Sequence, residues 1–432
     1  MSWLINGNLT KDEELVKKEY NLKYLPMVKS LLDTDLYKFS MGQVYHNQWS
    51  SDWATWKWKA RNVGNDKTYT KYTEDDLQEI INQVKAYCAL RFDEDELEFL
   101  HTKFPWIHKN FVNFLSFWHP RFEDFDIKKS DDSGIDVKFS GVQEYVTYYE
   151  IPILEITAEV YYRNHFSYDE LANDFKRINS EKIKTLIETK NECVFSEFGA
   201  RRRVSFELQD WLIGELDKWL TYKNSPELKF FMGTSNVFLA KKYGLNAAGT
   251  MAHEFIMTVG QGHLKHNPAY SNWYALESWT KEYGVWNGIA LTDTIGTDVF
   301  LKDFGKTWCT VFSGVRHDSG DPIEWGNKII SHYQKNGIDP KTKTLLFSDG
   351  LDWRKVNKIY DYFKNKAKVA FGIGTDWSGP QNDVALNIVC KPIKINGLDV
   401  AKLSDSEGKN MCQSEEAINR LKSEISWRMN HG

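Results

Sequence analysis

Cysteine is scarce in this chain and poorly placed for cross-linking. Its five copies, Cys88, Cys193, Cys309, Cys390 and Cys412, are odd in number and far apart, with no C-x-x-C pair. That excludes a disulfide framework and a zinc–thiolate site, and implies a reducing compartment. An excess of basic residues is also missing: 55 Lys and Arg stand against 60 Asp and Glu, for a net charge of −5. General nucleic-acid binders draw their affinity from a basic surface, so no nucleic-acid partner is expected and any phosphate site must be local. No run of eighteen apolar residues occurs, and the opening Met1-Ser2-Trp3-Leu4-Ile5-Asn6 has no basic start. No membrane partner is expected, and the reading is a soluble, cytoplasmic protein. Low-complexity segments and short-period repeats are absent too.

Two further absences narrow the chemistry. Gly372-Ile373-Gly374 lacks the third glycine of a dinucleotide fingerprint, because position 377 is Trp377. His253-Glu254 lacks the second histidine of a zincin, because position 257 is Met257. His263 and His266 match no common ligand spacing and read as loop histidines.

Aromatic residues are abundant, at 15% of the chain with 17 Trp, and most read as packing. A length of 432 residues predicts two or three domains, or one barrel with additions. The first part mixes element types. Asp33 or Thr34 is placed to cap a short helix carrying Tyr37, and Trp56, Trp58 and Ala60 alternate as in a half-buried strand. Residues 72–100 have helical spacing with a solvated acidic face, and residues 122–128 and 137–139 flank a polar turn as in a hairpin. This is an α+β pattern. After a crossing segment at 146–155 and a helix to about Phe166, apolar runs alternate with helix-like runs. The apolar runs fall at 194–198, 230–232, 247–251, 289–292, 310–315, 345–348, 369–372 and 388–390. Alternating units of this kind imply parallel strands with right-handed crossovers, and their number favours an α/β barrel.

In such a barrel the chemistry sits where strands end. His253, in Gly249-Thr250-Met251-Ala252-His253-Glu254, stands at a strand–helix junction, where it could bind phosphate, accept a phosphoryl group, hold a metal or shuttle a proton. The other strand ends carry Glu197-Phe198-Gly199-Ala200-Arg201-Arg202-Arg203, Gly233-Thr234-Ser235-Asn236 and Thr292-Asp293-Thr294. Further along come Arg316-His317-Asp318-Ser319-Gly320-Asp321, Ser348-Asp349-Gly350 and Gly372-Ile373-Gly374-Thr375. Gly, Ser and Thr allow close backbone approach to phosphate, Arg pairs with anions, and Asp serves ribose hydroxyls or Mg²⁺. Singly, the arginines could be an exposed charge run and the Asp-Gly pairs mere turns. Together they read as a cleft for a phosphorylated sugar.

Leu31-Leu32-Asp33-Thr34-Asp35-Leu36-Tyr37-Lys38 and the segments at 197–202, 249–254, 293–294, 316–321 and 372–375 resemble the signature segments of nicotinate phosphoribosyltransferases, over roughly residues 31–405. The resemblance implies an irregular α/β barrel of the type II phosphoribosyltransferase kind, with fewer than eight full strands. It implies an N-terminal α+β domain at 1–142, completed by 393–432, around a barrel at 143–392, and a homodimer with shared active sites. Nicotinate and 5-phosphoribosyl 1-pyrophosphate would give nicotinate mononucleotide and pyrophosphate, the first step of NAD salvage from nicotinate. ATP would be a co-substrate and Mg²⁺ the cofactor, held mainly by pyrophosphate and not by direct side-chain ligation.

By matching position, the resemblance implies that Phe198, with Tyr37 of the other subunit, sandwiches the pyridine ring. Thr250 and Arg316 would hold the nicotinate carboxylate, and Arg201 would face that carboxylate or the phosphates. Asp318, a catalytic residue with His253, would serve with Asp349 the ribose hydroxyls or Mg-pyrophosphate. Asp293 and Gly350 are implied substrate contacts, and Gly374 and Thr375 would cradle the 5′-phosphate. His253 matches the histidine that the family phosphorylates with ATP. The alternative is nicotinamide phosphoribosyltransferase, which has an Asp where this chain has Ser235; a carboxylate there would repel nicotinate, so Ser235 favours the acid. His317 adds a titratable group beside the implied phosphate site, with no assigned role.

Overall fold

The computed structural model describes residues 4–5, 8–9, 13–61, 71–189, 192–220, 230–381, 385–406, 412 and 414–431. The opening segment read for a basic start lies largely outside them. Two sheets organise the chain. The first has five antiparallel strands in the spatial order Leu398–Asp399, Ile388–Ile395, Trp53–Ala60, Gly134–Val142, Phe125–Ser130. Along Trp53–Ala60 the residues Ala54, Trp56, Trp58 and Ala60 are buried, as strand alternation requires. The two buried indoles donate to Gln143 Oε1 at 3.0 Å and Thr157 Oγ1 at 3.2 Å, so their polar atoms are satisfied.

Between 71 and 104 the expected helical stretch is two helices, Glu74–Cys88 and Glu94–Lys103, each opened by a reciprocal capping box, Thr73 with Asp76 and Asp93 with Glu96. The expected crossing segment is itself helical. Residues Gln143–Val146 and Thr147–Tyr149 lead into the helix Glu150–His165, in which every residue from Glu150 to Tyr162 is buried. A helix covered on all sides carries no amphipathic stripe, and so the spacing of its apolar residues does not mark where it begins.

The second sheet has seven strands, all parallel: Asn246–Ala247, Phe231–Thr234, Phe195–Glu197, Lys368–Ile373, Thr344–Phe347, Gly314–His317 and Ile289–Leu291. Taken from Phe195–Glu197, chain order runs outward to one edge, passes to the other and returns to the start, which is the order around an α/β barrel. The two edges do not pair as strands, but the Thr250 hydroxyl donates to the Ile289 carbonyl across them at 2.9 Å. The sheet is therefore curled and open, an irregular barrel as expected.

Three local expectations are corrected. Thr310 and Val311 end the helix Lys306–Val311, and the strand begins at Gly314. Ile388–Cys390 belongs to the first sheet, pairing antiparallel with Trp58–Ala60. The helix Leu36–Gln48 is preceded by Asp35, whose side chain makes no cap bond. Asp33 is drawn away by Arg203, whose Nη1 donates to Oδ1 at 2.7 Å. Among the described residues no helix is long and apolar enough to cross a membrane.

Candidate active site

His253 is the first residue of the helix His253–Gln261 and is 5% exposed. The Asp318 carboxylate accepts from Nε2 at 2.9 Å, and the Thr294 hydroxyl meets Nδ1 at 3.0 Å. Asp293 Oδ1 lies 3.8 Å from Nε2. Burial first, and then the Lys402 charge, push the imidazole down to about 4, against the pull of the two carboxylates. The ring is therefore neutral at pH 7 and keeps a nucleophilic lone pair. Against the cost of burial, the His253 hydrogen bond and the Arg316 charge hold Asp318 well below the ordinary carboxylate range.

Strand alternation explains who faces whom. Arg316 and Asp318 share one face of Gly314–His317 and its extension, while His317 takes the other. His317 packs its ring 5.2 Å from Trp325 and 5.8 Å from Phe347, and Nε2 donates to the Gly320 carbonyl at 3.2 Å. It is a core histidine packed behind the strand, held low by burial against the pull of Asp349, Asp318 and Asp293. Nε of Arg316 is buried without a hydrogen-bond partner among the described residues. Ser348 donates to Asp318 Oδ1 at 3.0 Å, and Ser319 to Asp293 Oδ2 at 2.6 Å. His253, Asp293 and Asp318 bring their ligand atoms within 4.8 Å of one another, a group able to hold a cation. For Mg²⁺, which prefers oxygen, the two carboxylates fit and the imidazole does not.

A second cluster surrounds Phe198. Its N–H donates to the Ile373 carbonyl at 2.8 Å, and its ring lies where a side chain on Gly372 would be, 2.5 Å from an ideal Cβ there. Gly374 and Thr375 follow at the start of the short turn Thr375–Ser378, whose leading N–H groups have no helical partners. Glu197 is the buried hub beneath: it accepts from Gly199 N at 2.6 Å, Thr234 Oγ1 at 2.6 Å and the Ser378 hydroxyl. Gly249, at φ +147°, lets Tyr37 N approach to 3.2 Å of its Cβ position. Within the chain, the Arg201 charge acts on the buried Tyr37 phenol. The Thr250 carbonyl accepts from Ser40 Oγ at 2.9 Å. Ser235 is 3% exposed and covered by the turn before the Tyr37 helix, its carbonyl accepting from Leu36 N at 2.8 Å. Asp349 and Gly350 follow Thr344–Phe347 on the same side of the sheet, and Gly350 has φ +53°.

The arginine run divides by role. Arg203 is fully buried, pairing with Asp33 at 2.7 Å and Glu155 at 3.1 Å, so it is structural. Arg201 is embedded among Tyr37, Asp35, Glu150 and Asp318. Arg202 is lowered to about 10 by burial and by repulsion from Arg201 and from Arg61, which sequence reasoning missed. Also missed were Lys402, 3.4 Å from Asp293, and the buried lattice in which Lys38 meets Glu150 at 2.6 Å and also Glu254. Lys391 joins it at 3.2 Å from Glu150. Only the adjacency of Lys38 to Tyr37, and of Glu254 to His253, hinted at this. His263 and His266 lie together, ring centroids 4.9 Å apart, with His263 3.2 Å from Asp52 and His266 Nδ1 donating to the Val259 carbonyl at 2.9 Å.

Comparison with known proteins gives one answer along the chain. Residues 193–427 match the Nicotinate phosphoribosyltransferase (NAPRTase) family, and residues 32–158 match the NAPRTase N-terminal domain. The chain is 40% identical over 391 residues to the nicotinate phosphoribosyltransferase of Burkholderia ambifaria, covering 89% of this chain and 94% of that protein. It is 37% identical to that of Cupriavidus necator over 398 residues, covering 92% and 97%. Among solved structures, nicotinate phosphoribosyltransferase from Porphyromonas gingivalis superposes with a TM-score of 0.81 at 31% identity, covering 91% of this chain and 99% of that one. The Vibrio cholerae enzyme gives 0.82 at 29%, covering 94% and 98%. A neutral histidine ringed by carboxylates, an aromatic ring seated on a glycine strand and buried arginines therefore occupy the frame of a known enzyme, and the chain belongs to the nicotinate phosphoribosyltransferase family.

Proposed function

We propose that this chain joins nicotinate to 5-phosphoribosyl 1-pyrophosphate and that the reaction is driven, as in an ATP-coupled ligase, by transient phosphorylation of His253. Nicotinate lies against Phe198 and Tyr37, with its carboxylate at Arg316 and Arg201; a flat heteroaromatic acid needs a ring face and a cation together. Gly374 and Thr375 receive the 5′-phosphate through backbone N–H and hydroxyl donors. The pyridine nitrogen attacks C1 of the ribose, the C1–O bond breaks, and its electron pair leaves with pyrophosphate. Positive charge gathers on the sugar, so alignment and electrostatics matter more than a strong base. Mg²⁺ would be held mainly by pyrophosphate, with Asp318 and Asp293 beside it as oxygen acceptors for its bound waters, and would supply positive charge to the departing group. The active species is a homodimer in the cytoplasm.

The observation that carries the ATP-linked reading is the neutral His253 imidazole at a helix start, held by Asp318 and Thr294. The test is product formation from nicotinate or nicotinamide with phosphoribosyl pyrophosphate and Mg²⁺, with and without ATP. Nicotinate mononucleotide should predominate and rise with ATP, and His253→Ala should abolish the ATP stimulation. Full stimulation in His253→Ala would remove the phosphohistidine, and nicotinamide mononucleotide as the main product would overturn the substrate.

A further inference from the structure

Residues 401–406 cross the C-terminal ends of two barrel strands as a strap fastened at both sides. The Gln261 amide, at the end of the His253 helix, exchanges hydrogen bonds with Ala401, from Nε2 to its carbonyl at 2.9 Å and from its N–H to Oε1 at 2.7 Å. Leu403 N donates to the Thr294 carbonyl at 2.9 Å, and Asp405 N to Ser319 Oγ at 3.2 Å. The Asp405 carboxylate accepts from Thr297 N at 3.1 Å and Oγ1 at 2.5 Å, and Ser406 Oγ accepts from Gly320 N at 3.0 Å. Two of the anchors touch the site directly, Thr294 meeting His253 and Ser319 donating to Asp293, and Gly320 adjoins the second.

The strap delivers one charge, Lys402, which is 6% exposed. Its Nζ lies 3.4 Å from Asp293 Oδ2, the oxygen that also accepts from Ser319. The other oxygen, Oδ1, is buried without a hydrogen-bond partner among the described residues and lies 3.8 Å from His253 Nε2. In the phosphoryl-transfer step the Nε2 lone pair forms a bond to the γ-phosphorus of ATP. The bond from that phosphorus to the β–γ bridging oxygen breaks, and its electron pair leaves with ADP. For this step the ring's single proton leaves Nε2, where the Asp318 carboxylate accepts it, and is taken up at Nδ1, where the Thr294 hydroxyl can accept as readily as donate. The transferred group then brings two negative charges to a nitrogen already flanked by two carboxylates, where like charges in a buried site repel strongly.

We propose that Lys402 is a positioning residue for the ATP-linked step, neutralising Asp293 so that a phosphoryl group can reside on His253, and that the 401–406 strap exists in this form to place it. The inference rests on the phosphohistidine reading above and concerns how the modified state is tolerated. The full-length chain is incubated with γ-³²P-ATP and Mg²⁺, and acid-labile label on the protein is counted for wild type, Lys402→Met and Lys402→Arg. Label should fall by at least about tenfold in Lys402→Met and be largely restored by Lys402→Arg, since a buried charge partner is being removed and replaced. The ratio of synthesis rates with and without ATP should follow the label. If Lys402→Met melts below the assay temperature, Lys402→Gln against Lys402→Arg gives the same contrast. Wild-type labelling in the neutral variants overturns the role of Lys402 and leaves the phosphohistidine standing. Equal loss in the neutral and Arg variants also overturns it, because shape and not charge would then matter. Absence of label in wild type removes the phosphohistidine itself, and this proposal with it.

Discussion

Gly372 has no side chain because the Phe198 ring occupies its place. An ideal Cβ there would stand 2.5 Å from two carbons of that ring, far inside van der Waals contact. Overpacking of this kind costs about 1–3 kcal/mol, and in Gly372→Ala the ring is the part that can move. The Michaelis constant for nicotinate should rise by about tenfold, with that for phosphoribosyl pyrophosphate changing less, as the displaced ring loses its stacking geometry. An unchanged constant for nicotinate in steady-state kinetics would take Phe198 out of the pyridine site. His317 and Arg316 make a different point about single residues. They are neighbours in sequence, yet the pleat sends one into the core and the other toward Asp318. The apolar run in the sequence ends at 315, so the opposite facing of these two residues was not legible beforehand.

Arg203 sits in a 3₁₀ turn's wake, directly after Ala200–Arg202, and ties three elements together. Its guanidinium reaches Asp33 before the Tyr37 helix, Glu155 in the buried helix Glu150–His165, and the Met27 carbonyl at 2.8 Å. Removing one partner of a buried ion pair leaves the other charge uncompensated and typically costs about 3–5 kcal/mol. Arg203→Met should therefore lower unfolding stability by that order in a urea titration, and a loss below about 1 kcal/mol would mean that the pair is better solvated than its burial suggests. At this scale the sequence was readable where elements were amphipathic. Trp53–Ala60 announced itself by alternation, and the strand ends by their Gly, Thr and Asp. Glu150–His165 did so only in its second half, because a helix buried all round has no polar face to mark its period. Asp33 was read as a cap because the bond it makes is to a residue 170 positions away, and a local rule cannot see that partner. Lys402 and the Lys38–Glu254 contact were invisible for the same reason.

On the scale of the whole molecule, the chain's end returns to its beginning. Ile388–Ile395 pairs with residues 54–60 of Trp53–Ala60 and is an interior strand of the first sheet. A fragment of residues 1–387 should consequently be insoluble or unfold without cooperativity, even though it retains the whole parallel sheet. Supplying residues 388–432 in trans should recover soluble protein, measured by sedimentation and by thermal unfolding. A soluble, cooperatively unfolding 1–387 fragment would show that the first sheet can close without its late strand.

The same pairing sets a clock for synthesis. The ribosome must add about 330 residues after Ala60 before Ile388 appears, which at about 5–20 residues per second takes from roughly a quarter of a minute to a minute. Through that interval Trp53–Ala60 has its row of N–H and C=O groups open on one side, and with it the indoles of Trp56 and Trp58. Every nascent copy is thus a transient open-edged strand crowded beside others on the same message, and the yield of enzyme in a cell will depend on how well that edge is shielded during translation.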